Sequence, residues 1–235
     1  MRRIGPETLA SLLDNPPLTG PCERAMERGL FITFEGGEGA GKSTQVARLT
    51  ARMVEQGVNV VSTREPGGSP GAEAIRALLV RGAADRWSST TEALLMYAAR
   101  RDHIERLIRP ALDAGTTVIC DRFADSTRAY QGAAGGAPGV LIDVLEQTVL
   151  GEIRPALTLI LDLPAASGLA RAARRSGGES RFEQKELDFH ERLRAAFLEI
   201  ARDQPDRCVV IDATASKDAV AEAIWAEVAK AAAPR

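Results

Sequence analysis

Residues 36–43, Gly36-Gly37-Glu38-Gly39-Ala40-Gly41-Lys42-Ser43, spell G-x-x-x-x-G-K-S directly after the apolar run Leu30-Phe31-Ile32-Thr33-Phe34. A segment with helical spacing begins at Thr44-Gln45-Val46. Strand, loop and helix in that order are the context in which this spacing cradles phosphate. Glycines let successive backbone N–H groups turn inward around phosphate oxygens, and the helix N-terminus adds positive potential. Lys42 is a compact cation for the outer phosphates, and the Ser43 hydroxyl suits Mg²⁺. A glycine-rich turn with a chance Lys-Ser would explain fewer of these positions. The segment predicts binding of a nucleoside triphosphate through residues 36–44.

Three further clusters carry chemistry. Asp121-Arg122-Phe123 directly follows the apolar run Val118-Ile119-Cys120. An aspartate at a strand end beside a phosphate loop can hold Mg²⁺ through water or orient a nucleophile. The planar Arg122 fork matches a phosphate; without the upstream loop, a surface Asp–Arg pair would serve equally well as an explanation. Ser126, Thr127, Tyr130 and Gln131 fall on neighbouring helical turns and offer hydroxyls and an amide to a base, although polar helix residues are usually only solvated. Arg171, Arg174, Arg175 and Arg181 flank the loop Ser176-Gly177-Gly178-Glu179-Ser180. Alone they read as a solvated face. In a triphosphate enzyme they suit a flap that closes over phosphates and neutralises charge, and the phosphate loop itself has no arginine.

Positioning such groups requires a scaffold, and 235 residues fit one α/β domain or at most two small ones. Hydrophobic residues make up 45% and no apolar run approaches membrane-spanning length. The formal charge of −2 excludes a general nucleic-acid coat. Cys22, Cys120 and Cys208 are scattered, which fits neither a disulfide framework nor a zinc site and makes a reducing cytoplasm the expectation. Met1-Arg2-Arg3 is followed by no apolar region of signal type. Residues 1–28 are broken by Asn15-Pro16-Pro17 and Gly20-Pro21; they read as a short helix near 5–14 plus an arm, or as sequence upstream of a start at Met26.

Beyond the loop, spacing predicts helices at 44–56, 71–81, 90–113 with an interruption at Pro110, 124–130, 139–149, 165–175, 183–202 and 217–232. Strands are predicted at 30–34, 58–61, 116–120, 156–161 and 207–211, with a Gly/Ala loop at 132–137. Five short apolar strands alternating with helices imply a parallel sheet covered on both faces. Ligands in such folds gather at the carboxyl ends of strands, where each cluster lies.

Together these segments resemble thymidylate kinases of the bacterial type. The matching pieces are residues 34–44, Thr63-Arg64-Glu65-Pro66-Gly67-Gly68, 71–76, Tyr97-Ala98-Ala99-Arg100, Asp121-Arg122-Phe123, 126–132 and 180–184, so the likeness spans about 29–212. The resemblance implies a P-loop NTPase three-layer fold with a mobile lid at about 172–182, in a domain covering 29–235. It also implies transfer of a phosphoryl group from ATP to dTMP with Mg²⁺, in dTTP supply, by a cytoplasmic homodimer paired through alanine-rich helices such as 90–113. Carried over by position, Gly36, Gly37, Glu38, Gly39, Ala40, Gly41, Lys42, Ser43 and Thr44 serve ATP, with Ser43 and Asp121 toward Mg²⁺. Glu38 contacts the acceptor's 3′-hydroxyl. Arg64, Arg76 and Arg122 hold its 5′-phosphate, with Glu65 and Pro66 along that wall. Arg100 faces the thymine carbonyl edge, and Ser126, Thr127, Tyr130 and Gln131 complete the acceptor pocket. Lys42, Asp121 and Arg122 act in catalysis with the lid arginines Arg174, Arg175 and Arg181. Adenine lies near Ile211-Asp212-Ala213-Thr214. One departure stands out: Met96 occupies the position where the family usually stacks a phenylalanine on the base, and a thioether offers only a softer contact.

Other functions fit less of the chain. A sister nucleoside or nucleotide kinase keeps the fold and changes the acceptor. A nucleotide-dependent switch or partition protein has no use for the arginines at 64, 76, 100 and 122. A nucleic-acid-binding ATPase conflicts with the acidic balance and the lack of a basic stripe.

Overall fold

The computed structural model describes residues 28–83, 85–174, 182 and 185–232. Five parallel strands, β1 (Phe31–Glu35), β2 (Val60–Arg64), β3 (Thr117–Asp121), β4 (Leu157–Asp162) and β5 (Cys208–Asp212), form one sheet in the order β2-β3-β1-β4-β5. Every crossover carries helix: α1 (Lys42–Glu55), α2 (Pro70–Val80), α3 (Ser89–His103), α4 (Arg109–Asp113), α5 (Ala124–Thr127), α6 (Gly139–Leu150), α7 (Ala165–Ala173) and α8 (Leu187–Asp203), while α9 (Lys217–Ala231) follows β5. The α/β expectation holds, with five strands and helices on both faces.

Strand alternation sorts the core. Ile32, Phe34, Ile119, Leu157, Leu159 and Leu161 point to the face covered by α1 and α9, where Leu49, Met53, Ile224 and Val228 meet them. Phe31, Val118 and Cys120 point the other way, onto Tyr97, Ile104, Ile108, Phe123 and Ile142. Ile160 turns toward Leu193, Phe197 and Tyr130 under α8. Each such large apolar side chain, fully buried, contributes about 1.5–3 kcal/mol. The alternation also aims the polar residues. Asp121 shares the Ile119 face and leans toward α1, whereas Thr63 and Glu65 follow Val61 toward α3.

Several boundaries differ from expectation. β2 begins at Val60 and runs through Arg64, because its ladder with β3 pairs Val60 with Thr117 and Arg64 with Asp121. The segment 89–113 stays helical past Pro110, and its irregularity comes earlier, as a π-helical turn at Ile104–Ile108. Pro110 lacks an N–H and crowds the carbonyl four residues back, so the wider turn re-registers the ladder ahead of it. A second π-helical turn, Arg128–Ala133, carries the helix expected at 124–130 into the first two residues of the anticipated 132–137 loop. Gly39 is the tightest point near the loop. Its φ is 67°, and a Cβ there would sit 2.0 Å from the Gly168 carbonyl oxygen of α7. The anticipated helix near 5–14 and the loop 176–180 lie outside the described residues.

Candidate active site

The loop between β1 and α1 places Lys42 over its own backbone: Nζ donates to the carbonyls of Gly36 (3.1 Å) and Gly37 (2.8 Å). Burial, then repulsion from Arg122, lowers Lys42 to about 8, against the pull of Glu38, Asp121 and Glu35. Ser43 Oγ donates to Asp121 Oδ2 at 2.6 Å, so the first turn of α1 and the end of β3 bring a hydroxyl and a carboxylate together. These are hard oxygen donors of the kind Mg²⁺ takes alongside phosphate oxygens and water. Among the described residues no group of three His, Cys, Asp or Glu side chains is placed to hold a metal ion.

Arg122 has φ 70°, in the left-handed region that an L-residue adopts only when its surroundings hold it there. Its guanidinium donates to Gly36 O (3.0 Å), Ser126 Oγ (3.2 Å) and Glu38 Oε1 (3.1 Å). Tyr130 OH donates to the same Glu38 oxygen at 2.8 Å. Burial opposes ionisation of Glu38, yet Arg122, Lys42 and the Tyr130 hydrogen bond outweigh it and hold the carboxyl at about 2. Behind them lies Glu35, the last residue of β1 and fully buried. It accepts from Phe123 N (2.8 Å) and Ser126 Oγ (2.5 Å), which pins the turn carrying Arg122. Burial and the nearby Asp125 carboxylate push Glu35 up to about 7.

Arg100 is 2% exposed. Nε donates to Glu65 Oε2 (2.7 Å), and Nη2 to Phe123 O (2.9 Å) and Thr127 Oγ1 (3.1 Å). Nη1 has no protein partner among the described residues. A guanidinium this deeply buried needs its partners; removing one from such a pair costs about 3–5 kcal/mol. Glu65 therefore faces inward, and its other oxygen meets His103 Nδ1 at 3.0 Å. Gln131 Nε2 donates to the buried Glu92 at 2.9 Å.

The remaining expected residues lie in the loops and helices that follow the strands. Arg64 pairs with Glu73 at 3.0 Å while half exposed, and Arg76 Nη1 donates to Pro66 O at 2.6 Å. Met96 packs against the cluster of Tyr130, Phe182 and Phe197. Tyr97 is 1% exposed with Arg100 stacked 4.7 Å from its ring centre, so it belongs to the core and does not replace the missing aromatic ring. Arg171 Nη1 donates to Ala213 O at 3.2 Å, which ties α7 to the stretch after β5. Arg174 caps α7 and is exposed. Arg175 and Arg181 lie outside the described residues. Sequence reading missed Glu35, His103 and Glu92. The available signal was strand and helix parity: Glu35 shares the Phe31 face, and His103 falls one turn beyond Arg100.

A parallel sheet ordered β2-β3-β1-β4-β5, with a G-x-x-x-x-G-K-S loop between β1 and α1, defines a P-loop NTPase. The thymidylate kinase family model matches residues 34–224. A thymidylate kinase of Caulobacter vibrioides is 70% identical over 199 residues, 85% of this chain and 95% of that protein. One from Magnetococcus marinus is 53% identical over 201 residues, 86% of this chain and 96% of that one. The crystal structure of thymidylate kinase from Ehrlichia chaffeensis superposes with a TM-score of 0.71 at 35% identity, covering 86% of this chain and 99% of the other. The chain belongs to the thymidylate kinase family.

Proposed function

We propose that this enzyme transfers the γ-phosphoryl group of ATP to dTMP, giving dTDP and ADP, in the supply of dTTP for DNA synthesis. The observation carrying this reading is the meeting, at the carboxyl ends of the strands, of the Lys42 loop with the inward guanidinium groups of Arg100 and Arg122. An acceptor phosphate oxygen attacks the γ-phosphorus, and the bond to the oxygen bridging β and γ breaks. The chain's part is to place the two anions in line and to offset their charge.

Lys42 and the backbone of 36–44 grip the donor. Arg122 lies between that loop and the acceptor side and is suited to the acceptor's phosphate with Arg64 and Arg76. Glu38, ionised at neutral pH, accepts from the sugar 3′-hydroxyl. Arg100 Nη1, Thr127 and Gln131 read the base, with Ser126 and Tyr130 lining the pocket beside Met96. Ser43 and Asp121, already paired at 2.6 Å, would hold Mg²⁺, which would supply positive charge to offset that of the phosphates. Adenine lies beside 211–214. Residues 29–235 act as one kinase domain, with residues 1–28 as an extension; Arg174, Arg175 and Arg181 belong to a lid at about 172–182. Among the described residues no helix is long and apolar enough to cross a membrane. A cytoplasmic homodimer is part of the proposal. Its support is the exposed Leu78, Leu94, Val140 and Val144 on the neighbouring helices α2, α3 and α6.

Steady-state assays with ATP and dTMP, dUMP, CMP or thymidine test the reading. The expected order puts dTMP first in kcat/KM; equal or better turnover of thymidine overturns it.

A further inference from the structure

We propose that His103 is a positioning residue for acceptor recognition: it holds the Glu65 carboxylate so that Arg100 keeps its outer nitrogens for the pocket. This rests on the reading of Arg100 as the anchor for the acceptor's base.

Two periodicities interlock between the end of β2 and α3. Thr63 and Glu65 are two apart at the end of β2 and face α3; Arg100 and His103 are three apart on α3 and face β2. His103 is fully buried, with Nδ1 3.0 Å from Glu65 Oε1 and Nε2 2.8 Å from Thr63 Oγ1. A carboxylate only accepts, so Nδ1 carries the proton that bonds Glu65, and in the neutral ring Nε2 accepts from the Thr63 hydroxyl. The loop after β2 closes on the same ring: a Cβ on Gly68 would lie 2.4 Å from Nε2.

Glu65 thus has one oxygen on His103 and one on Arg100 Nε. That division matters because Nε and one terminal nitrogen of a guanidinium share an edge that a free carboxylate takes with both oxygens. With Oε1 engaged by His103, Nη2 is left to Phe123 O and Thr127 Oγ1, and Nη1 stays without a protein partner among the described residues. Loss of His103 lets Glu65 turn onto the guanidinium, compete with Thr127 for Nη2 and tilt Nη1 away from its ligand. The imidazole never touches the substrates; it acts through Glu65.

Four proteins test this: wild type, His103→Phe, Arg100→Ala and the double variant, each measured for KM against dTMP and ATP separately. The expected result for His103→Phe is a rise of roughly tenfold in KM for dTMP, about one well-made hydrogen bond to a charged group, with KM for ATP changed by less than twofold. In the Arg100→Ala background the same substitution adds less than a further twofold, because its route to the pocket is gone. His103→Asn, which keeps a donor for Glu65, recovers most of the loss. Equal rises in both KM values, or an undiminished His103→Phe effect without Arg100, overturn the proposal as a general structural defect. If His103→Phe does not fold, Thr63→Val reports instead, with a smaller dTMP-specific rise expected and an unchanged KM overturning the proposal. Wild type that makes no dTDP is a failure of the functional reading itself and is seen before any variant is made.

Discussion

At the scale of single residues, the site is a set of charges whose neighbours decide their state. Lys42 is drawn down to about 8 by burial and by Arg122, so part of its charge is lost as the medium becomes alkaline. A triphosphate beside it favours the protonated ammonium and raises its pKa. Binding above pH 8 therefore takes up a proton, and affinity weakens as pH rises, by up to tenfold per unit. The expected profile of KM for ATP is flat from pH 6.5 to 7.5 and rises beyond about 8; a flat line to pH 9.5 contradicts the account. Lys42→Ala is expected to lose orders of magnitude in turnover while keeping its melting temperature. The sequence made Lys42, Ser43, Asp121 and Arg122 legible because their roles are tied to a local spacing. Glu35 and His103 were not legible, because each acts on a residue far away in the chain: Glu35 on Ser126, 91 positions on, and His103 on Glu65, 38 positions back.

At the scale of elements, apolar periodicity located every described helix and strand, and failed where pairing or crowding overrides composition. β2 extends to Arg64 since β3 supplies a ladder partner there, and the turn before Pro110 widens where an ordinary helix was anticipated. Away from the face of α3 that meets β2, Leu94 on α3 is 48% exposed, and Val144 on the adjoining α6 is 54% exposed. Apolar side chains on adjoining helices are covered at low cost by a second copy. Sedimentation is expected to give twice the chain mass of 25.1 kDa for wild type and 25.1 kDa for Leu94→Glu. Wild type sedimenting at the single-chain mass rules out that interface.

At the scale of the molecule, alternating strands and helices announced a parallel sheet, whereas the strand order required contacts between distant segments. The order places β1 between β3 and β4, so the chain winds outward in both directions from the phosphate loop. Such a switch point opens a crevice at the carboxyl ends of the strands, where a donor and an acceptor can lie side by side. The central claim is that the two sit there together, and it is tested most directly by product balance. Wild-type protein with ATP, Mg²⁺ and dTMP should form one ADP for each dTDP, and consume ATP far more slowly when dTMP is omitted. ADP appearing at the same rate with and without dTMP, and no dTDP, would contradict it.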